Sequence, residues 1–550
     1  MPSGSQAELA SAQERAGLVI DAGSLEEWDA DVVSDDPLVF SDTRPYRERL
    51  AEARERTGLG EAVLTGTATV SGRRVAVVAG EFGFLGGSVG VATGERIARA
   101  FERAQRERLP LVALPASGGS RMQEGTLALA GMAKLAAAVG RYRAAGLPYV
   151  ICLTDPTAGG AFASWASLGT VTFALPGALL GFAGPRVVEL LHGAPLPEGT
   201  QRAETLLAHG LLDDVVEPDD LRERVGRVLA VAAPGDASAP VGPAAPPVRA
   251  AVPPDGPGSA TAPADAVAPP AFTVPGLASA TAGPETAVAA PTGPRDAWAS
   301  LQHARDPRRP GATDLLRALA TDVTELRGDR AGHPDDPACL AALGRVCGER
   351  AVVVAQRRGR DGAPGAMNAA GYRKARRAMA LAAELWVPLL TIVDTPGAEL
   401  SAEAEHGGLA GEIAGCLADL AAVPVPTLAL LLGEGGSGGA LALLAADRVV
   451  CAEHASLGVI APEGASAILY RDTDHAAELA ATQAGASWEL LAHGLADALV
   501  PEPAPAHEQP DDFVARAGAT LAAELTALTA ADPAERLAAR QARWRAAGGE

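Results

Sequence analysis

The sequence predicts an α/β protein made of two similar domains that a long Ala/Pro-rich linker joins. Residues 110–119 (PLVALPASGG) match residues 388–397 (PLLTIVDTPG) at an offset of 278, and residues 159–161 match residues 438–440 (both GGA) at 279. Each of these landmarks follows an apolar run and precedes a small-residue helix pattern, an order typical of strand, turn and helix in α/β folds. Between the halves, residues 232–295 consist largely of Ala, Pro, Gly, Ser and Thr. The repeat therefore predicts two domains of one fold.

The elements of the first half follow from changes in hydrophobic period along the chain. Helices are predicted at 46–56, 93–108 and 122–145, strands at 62–70, 74–79, 111–116 and 149–154, and glycine segments at 81–90 (EFGFLGGSVG) and 155–161 (DPTAGGA). In the second half the pattern resumes near residue 297 and ends in an Arg-rich helix at 533–547.

Four segments are expected from these boundaries. Residues 1–40 are acidic and weakly patterned, and they are expected to form a weakly structured lead-in. The first domain is expected at 41–231, the linker at 232–295 and the second domain at 296–550. The linker composition does not bury enough apolar area to offset the entropy of ordering, so it is expected to be disordered and extended.

Composition excludes several classes of function. The formal net charge of −21 argues against nucleic acid as a partner, because phosphate neutralisation needs a basic face. The five cysteines stand singly, which fits neither a zinc ribbon nor a disulfide framework. No apolar run reaches the roughly 20 residues of a membrane helix, and no secretory signal is present. A soluble cytoplasmic protein is expected, with no membrane partner.

The glycine turn at residues 433–440 (GEGGSGGA) predicts an anion-binding site. Glycine lets successive peptides turn sharply and point their N–H groups into a pocket, here at the positive end of a helix. Each half carries two such turns about 40 residues apart. In an oxyanion hole, two adjacent turns supply one N–H each to the same oxygen. The alternative is that these glycine segments are ordinary tight turns that bind no anion.

Two other motifs fit the same segment. Gly433, Gly435 and Gly438 satisfy the dinucleotide-binding pattern GxGxxG, but the helix that follows is short and the first half lacks the pattern. Residues 435–439 (GGSGG) also fit a nucleophile elbow with Ser437 as nucleophile. Its candidate partners are Asp472, Asp474, His475 and His493. The first half has Ala158 in place of the serine, which weakens the hydrolase hypothesis.

The motifs of both halves resemble one family. Residues 81–90, 116–124 (ASGGSRMQE), 147–160 (LPYVICLTDPTAGG) and 180–186 (LGFAGPR) are similar to the β subunit of bacterial acetyl-CoA carboxylase carboxyltransferase. The second half resembles the α subunit at 371–382 (GYRKARRAMALA), 394–398 (DTPGA), 433–442 (GEGGSGGALA) and 460–469 (IAPEGASAIL). The chain looks like the two subunits fused, with about residues 40–230 and 310–505 covered.

This resemblance implies two crotonase-like domains, each a spiral of ββα units, and transfer of CO2 from carboxybiotin to the α carbon of an acyl-CoA. The N–H groups of Gly118 and Gly119 are then expected to hold the thioester oxygen as an enolate forms, while Gly438, Gly439 and Ala440 hold the ureido oxygen of biotin. Further substrate contacts are expected at the following residues: Gly86, Gly87, Arg121, Gly159, Gly160 and Gly397.

Two departures from the family pattern change the expectations. The first 151 residues contain no cysteine, so no zinc is predicted although the β family commonly carries a zinc ribbon. The segment 405–408 (EHGG) looks closer to propionyl-CoA-type enzymes, which leaves the acyl chain length open.

The lysine content bears on the partners. Lys134 and Lys374 are the only lysines, and neither stands in a carrier-type hairpin. Biotin carboxylase and the biotin carboxyl carrier protein are therefore expected as separate chains. The resemblance implies, in addition, a homodimer or a larger homo-oligomer of the fused chain. A malonyl-thioester decarboxylase of the same fold and an inactive scaffold are the alternatives.

Overall fold

The computed structural model describes residues 10–232, 295–359 and 365–548. All of the predicted linker except its two end residues lies outside the described residues. Within the described ranges each half contains one large sheet, and the two predicted α/β halves are present.

The first half is built on a seven-stranded sheet in the order β1-β2-β3-β4-β5-β7-β9, antiparallel from β1 to β3 and parallel from β3 onward. Its strands are β1 (Glu26–Trp28), β2 (Val63–Val70), β3 (Arg73–Gly80), β4 (Leu111–Leu114), β5 (Tyr149–Leu153), β6 (Thr157–Ala158), β7 (Val171–Ala174), β8 (Leu180–Gly181) and β9 (Asp214–Val215). Its helices are α1 (Ala12–Gly17), α2 (Tyr46–Thr57), α3 (Val91–Glu107), α4 (Gly125–Ala144), α5 (Gly159–Phe162), α6 (Pro185–His192), α7 (Ala203–Ala208) and α8 (Pro218–Ala232). The short pair β6-β8 stands outside the large sheet.

The second half repeats this arrangement in an eight-stranded sheet ordered β10-β11-β12-β13-β14-β15-β17, with β16 paired to β14. Its strands are β10 (Ala320–Glu325), β11 (Cys339–Val346), β12 (Glu349–Gln356), β13 (Leu389–Thr395), β14 (Thr427–Gly436), β15 (Arg448–Ala452), β16 (Ser456–Gly458) and β17 (Ala498–Val500). Its helices are α9 (Ala297–Arg305), α10 (Ala312–Leu319), α11 (Ala369–Leu385), α12 (Ala402–His406), α13 (Leu409–Ala422), α14 (Ser437–Leu441), α15 (Pro462–Leu469), α16 (Ala476–Thr482), α17 (Ser487–Ala492), α18 (Pro510–Ala530) and α19 (Pro533–Ala546).

The segment expected to be a weakly structured lead-in is folded from residue 10 onward. Strand β1 pairs with β2, and Ala12, Ala16 and Val19 are fully buried in the cluster that covers one face of the first sheet. The sequence does not show this because the segment has few apolar residues and no clear period. These few apolar residues nevertheless lie on one side of the segment, where they pack against the sheet.

Helix α4 lies at the contact between the two halves. It packs against α3 of its own half and against α13, α14 and α19 of the other half. All but five of its 20 residues are buried, which explains why its pattern is apolar around the whole circumference. At its start, Thr126 donates through Oγ1 to the carbonyl of Leu457 at 2.9 Å, and its N–H donates to the carbonyl of Gln483 at 3.0 Å. The two halves therefore share one core.

Candidate active site

Three glycine segments of the first half lie together at the ends of β3, β4 and β6. A Cβ placed on Gly87 would lie 2.1 Å from the carbonyl oxygen of Ala116. A Cβ on Gly159 would lie 2.8 Å from the Cα of Gly119, and Gly159 has a φ of +61°. Both the close approach and the positive φ require glycine at these positions. The structure thus brings together the segments that contain Gly86 to Gly87, Gly118 to Gly119 and Gly159 to Gly160.

The N–H groups of Gly118 and Gly119 already have acceptors within the chain. Gly118 donates to the carbonyl of Gly86 at 2.9 Å, and Gly119 donates to Ser117 Oγ at 3.1 Å. These bonds hold the turn after β4 against the neighbouring glycine segment. Neither N–H is free, in this structure, to hold a thioester oxygen.

The matching turn of the second half repeats the second of these bonds. Gly397 donates its N–H to Thr395 Oγ1 at 3.2 Å, as Gly119 does to the hydroxyl two residues before it. Gly397 was expected to contact substrate, and its N–H is likewise already hydrogen-bonded within the chain. The repeat therefore extends to a side-chain hydrogen bond that a comparison of motifs alone does not reveal.

Strand β14 continues through the glycines that were expected to form a turn. A Cβ on Gly436 would lie 2.0 Å from the carbonyl oxygen of Pro396, and one on Gly433 would lie 2.5 Å from Asp394 Oδ1. These glycines are needed because neighbouring atoms approach the strand closely, and α14 begins only at Ser437. Gly433 and Gly435 lie in the strand, so the loop of the dinucleotide-binding motif does not form and that hypothesis is wrong.

The peptide between Gly439 and Ala440 is held in one orientation. The carbonyl oxygen of Gly439 accepts a hydrogen bond from Gln356 Nε2 at 2.8 Å and another from the Tyr372 hydroxyl at 3.0 Å. Burial raises the pKa of Tyr372 well above its usual value, so the hydroxyl remains a donor. In a trans peptide the N–H points opposite to the carbonyl, so these two bonds also fix the direction of the Ala440 N–H. That N–H belongs to the fourth residue of α14.

The glycine turns of the two halves approach each other at Met132 on α4. A Cβ on Gly160 would lie 3.1 Å from Met132 Sδ, and a Cβ on Gly438 would lie 2.8 Å from Met132 Cε. Gly160 is half-buried, whereas Gly438 is buried. The helix starts of α5 and α14, each with N–H groups that lack intrahelical acceptors, therefore lie on two sides of one side chain.

Arg121 lies in a closed network and reaches no cleft. Its side chain is fully buried, its guanidinium donates to both carboxylate oxygens of Glu61 at 2.8 and 3.0 Å, and it also donates to Ser34 Oγ at 2.7 Å. Burial alone lowers its pKa, but the Glu61, Tyr46 and Glu124 side chains outweigh burial and raise it above its usual value. The substrate contact expected for Arg121 is not supported, because every contact that it makes is structural.

Ser437 does not have the partners of a hydrolase nucleophile. Within the described part of the chain no hydrogen bond joins its hydroxyl to a histidine or an aspartate. His475 stacks on Tyr470 with ring centroids 3.9 Å apart, and its Nδ1 contacts Glu478. The φ of +56° at the serine fits the strained strand-to-helix turn of a nucleophile elbow as well as an ordinary turn, so the missing partners are what weigh against the hydrolase hypothesis.

Glu405 of α12 connects the halves at a second place. Its carboxylate accepts from the N–H of Phe182 at 2.9 Å and from Gln201 Nε2 at 2.7 Å, both in the first half. Burial raises the pKa of Glu405, and these donors oppose part of that effect. Beside it, the rings of His406 and His209 stack with centroids 4.2 Å apart. The EHGG segment, expected to bear on chain length, thus lies at the contact between the halves.

Comparisons with known proteins agree with this arrangement of two halves. A carboxyl transferase domain model matches residues 32–210, and an acetyl co-enzyme A carboxylase carboxyltransferase-like model matches residues 293–548. A protein of Mycobacterium tuberculosis, described as a probable biotin-dependent acyl-coenzyme A carboxylase beta3 subunit, is 46% identical over 96% of this chain and 97% of its own length. The chain belongs to the acyl-CoA carboxylase carboxyltransferase family.

Another relative of this carboxyltransferase carries both subunit names. The acetyl-coenzyme A carboxylase carboxyl transferase subunits beta/alpha of Salinispora arenicola is 41% identical over 98% of this chain and 90% of its own length. Since the two family models match successive parts of one chain, the predicted fusion of β-like and α-like halves is confirmed, as is the α/β fold class with two crotonase-like carboxyltransferase domains.

Among the side chains that the structure describes, no group of three or more His, Cys, Asp or Glu is placed to bind a metal ion. Of the helices in the described ranges, none combines the length and the apolar character that crossing a membrane requires.

Several residues of this carboxyltransferase site were missed by sequence reasoning. Gln356 and Met132 lie on elements away along the chain from the glycines that they contact, so no local pattern points to them. Tyr372 stands in the quoted segment at residues 371–382, which was the one available signal for its importance.

Proposed function

We propose that this chain is the carboxyltransferase component of a biotin-dependent acyl-CoA carboxylase, which transfers a carboxyl group from carboxybiotin on a carrier protein to the α carbon of acetyl-CoA or a related short acyl-CoA. Membership in the family supports the reaction type, and the names of the relatives support both co-substrates. The observation that carries the assignment of the site is the approach of two glycine-led helix starts, one from each half, at Met132.

In the first half the N–H groups of Gly159 and Gly160 hold the thioester oxygen while negative charge develops on it. They stand at the start of α5 and have no intrahelical acceptor. Gly118 and Gly119 take a supporting role, because their own N–H groups are bonded to Gly86 and Ser117. A donor that is already bonded within the protein has to break that bond before it can stabilise an enolate.

In the second half the N–H groups of Gly439 and Ala440 hold the ureido oxygen. Carboxybiotin supplies the carboxyl group. Because two hydrogen bonds hold the Gly439 carbonyl, the N–H on the other side of the same peptide has a fixed direction. A neutral N–H donor suits the neutral ureido carbonyl of this co-substrate. The rate then depends on main-chain donors. Ser437 takes no part in bond making.

The biotinylated carrier and biotin carboxylase are separate chains in this proposal. Lys134 and Lys374 are 3% and 1% exposed, and they form ion pairs with Glu95 and Asp335. A biotinylated lysine has to be exposed, so neither position suits the modification. Intact mass spectrometry of the purified chain tests this, and covalent biotin on either lysine would contradict it.

The decisive experiment is a transfer assay with purified chain, biotinylated carrier, biotin carboxylase and ATP, run on acetyl-, propionyl- and butyryl-CoA. We expect ATP-dependent carboxylation of at least one of these thioesters. Loss of CO2 from malonyl-CoA without any carrier would favour the decarboxylase alternative instead. A chain that binds the other components but turns over none of the thioesters would be a scaffold.

Assembly and segment boundaries complete the proposal. The halves of one chain meet at the site, and we propose that copies of the chain associate as a homodimer or a larger homo-oligomer in the cytoplasm. Light scattering on the purified chain measures this. We expected domains at 41–231 and 296–550, and since β1 pairs with β2, we propose that the first domain also includes the folded residues from 10 onward. Cutting within residues 232–295 is expected to leave both domains folded, as limited proteolysis would show.

A further inference from the structure

A cleft in the second half lies beside the end of β14, between helices α9 and α16. Its volume is about 450 Å³, including the space at its open mouth, and Leu301 of α9, Ala480 of α16 and Leu457 of β16 give it apolar walls. The inner end is formed by backbone around β16 and the start of α15. None of the residues proposed to donate N–H groups during transfer lines this cleft, which we call the α9 cleft.

One polar side chain of the α9 cleft has no partner. Gln483 is 5% exposed and lines the cleft, with its Oε1 3.9 Å from the position of a Cβ on Gly458. Within the described ranges of the chain, no hydrogen bond joins its side-chain amide to another group. Buried amides are nearly always hydrogen-bonded, because an unpaired one loses its contacts with water and gains nothing in return. The amide of Gln483 therefore indicates a ligand.

The corresponding place in the first half holds a carboxylate. Glu405 accepts from the N–H groups of the two residues that follow β8, Phe182 at 2.9 Å and Ala183 at 3.5 Å. The amide of Gln201 donates to the same carboxylate at 2.7 Å. Two backbone donors and one side-chain amide thus form a complete carboxylate site in the first half.

The second half has the same kinds of donor but receives no carboxylate. Because β16 pairs with β14 as β8 pairs with β6, Val459 and Ile460 correspond to the two backbone donors of the first half. Neither N–H has an acceptor in the part of the chain that the structure describes. The other half reaches this place with Thr126, whose hydroxyl donates to the carbonyls of Leu457 and Gln483 at 2.9 and 3.1 Å.

A glycine explains why the space remains open. The N–H of Leu180 donates to the carbonyl of Gln201 at 3.0 Å, and the N–H of Leu457 donates in the same way to Gly485 at 2.8 Å. Gly485 therefore stands where the first half has Gln201. It has no side chain to fill the space.

The electrostatics of the cleft suit an anion. Ala461 and Pro462, at the start of the eight-residue helix α15, line the cleft, and the positive end of a helix favours negative charge. Glu434 also lines it, but its carboxylate is paired with the guanidinium groups of Arg305 at 2.6 Å and of Arg358. These two cations offset the repulsion that Glu434 would exert.

We propose that the α9 cleft binds a small monocarboxylate with a short alkyl chain. The carboxylate accepts hydrogen bonds from the N–H groups of Val459 and Ile460 and from the amide of Gln483, as Glu405 does at the corresponding place in the first half. The alkyl chain packs against the apolar side chains of α9 and α16. This site is separate from the transfer reaction and does not depend on the proposed function.

The first test measures Kd for acetate, propionate, butyrate and butyramide on the full wild-type chain by saturation-transfer NMR. Burial of one methylene is worth up to about fourfold in affinity, so Kd is expected to fall by about two- to fourfold with each added carbon. Butyramide has no charge and is expected to bind at least about 10-fold more weakly than butyrate. Equal affinities for butyrate and butyramide, or no binding of any of the three acids, would overturn the inference.

The second test changes the side-chain donor. Gln483→Leu removes it, and Gln483→Glu replaces it with a negative group of nearly the same shape. Both are expected to raise the Kd of butyrate by about 10-fold or more, since a hydrogen bond to a charged group is worth roughly that factor. An unchanged Kd in a folded Gln483→Leu chain would show that butyrate binds elsewhere. The ligand series on the wild type decides the question if neither variant folds.

Gln302→Glu is the matched control for the added charge. Gln302 is exposed on α9, the helix that forms one wall of the cleft, and the same exchange there leaves the donors intact. The Kd of butyrate is expected to stay within about twofold. A loss as large as that of Gln483→Glu would show that general repulsion, not the loss of one donor, weakens binding, and the inference would be wrong.

Discussion

The helix starts of α5 and α14, for which we propose matching tasks, are held in place differently. In α14 the carbonyl of Gly439 accepts from Gln356 and Tyr372, which stand on β12 and α11. At the corresponding place in the first half, the carbonyl of Ala161 accepts from the backbone N–H groups of Trp165 and Ala166 at 3.3 and 3.0 Å. One turn depends on side chains from distant elements, whereas the other is held by local groups, namely backbone N–H groups and the Ser164 hydroxyl.

The structural register between the halves differs by one residue from the register that the GGA motifs predict. Ala158 pairs with Gly181 as Gly436 pairs with Gly458, and the helices begin at Gly159 and Ser437. Ser437 therefore corresponds to Gly159, and both have positive φ, at +56° and +61°. The second half tolerates a side chain where the first half does not, because a Cβ on Gly159 would lie 2.8 Å from the backbone of Gly119.

The largest effect is expected at the second-half turn. A Cβ on Gly439 would lie 2.7 Å from the Tyr372 hydroxyl and 2.8 Å from the N atom of Ala398, so Gly439→Ala displaces the bonded peptide. Losing one oxyanion donor typically lowers turnover by about 100- to 1000-fold, and kcat in the transfer assay is expected to fall by that amount.

Gly411→Ala provides the control for that measurement. Gly411 lies in α13, where an added Cβ meets no atom within 4 Å. Alanine is the better helix former, so stability is expected to rise slightly and kcat to stay within about twofold. Turnover above about a tenth of the wild-type value in Gly439→Ala would show that this peptide does not hold the reacting oxygen.

A reciprocal exchange tests the corrected register. Gly159→Ser introduces a side chain at positive φ against Gly119, and kcat is expected to fall by about 10- to 100-fold. Ser437→Gly removes a side chain that has no hydrogen-bond partner among the described residues, so kcat is expected to stay within about threefold. Equal losses in both variants would show that the two positions do not correspond. Ser437→Ala should also keep transfer activity, which a hydrolase nucleophile would not allow.

The fold class and the repeat follow from the spacing of glycine turns, because a turn after each strand has to recur at the same place in two copies of one fold. Whether each N–H is free or already hydrogen-bonded does not follow from that spacing. Gly118 is bonded to Gly86, which stands in an earlier glycine segment, and only the folded chain brings that acceptor near. The close approach of Pro396 that extends β14 through Gly436 is equally non-local. Sequence motifs identified the candidate glycine segments but did not distinguish free N–H donors from bonded ones.

Arg121 illustrates the same limit for a charged side chain. An arginine beside a glycine turn is a reasonable ligand for a carboxylate or a phosphate when only the sequence is known. Its partners Glu61 and Ser34 come from segments far earlier in the chain. Tertiary packing decides whether these side chains meet Arg121 in a buried network, and no local sequence pattern indicates that they do.

A smaller effect is expected from the side chains that hold Gly439. Tyr372→Phe removes one of two hydrogen bonds to its carbonyl, and a bond worth about 1 kcal/mol corresponds to a roughly fivefold lower kcat. Ser164→Ala, which removes a hydroxyl bonded to the Gly160 carbonyl, is expected to change kcat by less than about twofold, because backbone donors still hold the first-half turn. The KM for acyl-CoA should stay unchanged in Tyr372→Phe.

Tyr142→Phe is the matched control for the tyrosine. Its hydroxyl is also buried and donates to the carbonyls of Leu109 and Pro148, away from both turns. This variant is expected to lower the unfolding temperature but to keep kcat. If Ser164→Ala lowers kcat more than Tyr372→Phe does, the first half is the one that depends on side chains, and the comparison is reversed.

The smallest expected effect concerns the pH dependence of the contact between the halves. Because the pKa of Glu405 is raised above its usual value of 4.5, the folded chain binds this proton more tightly than the unfolded chain does. The stability that this group contributes is fully present below pH 4.5 and is lost as pH rises through the raised pKa. Glu405→Gln removes the titration. The unfolding temperature of the wild type minus that of the variant is therefore expected to fall from pH 4.5 toward about pH 8. A difference that rises with pH for Glu405→Gln would mean that the donors from Phe182 and Gln201 outweigh burial.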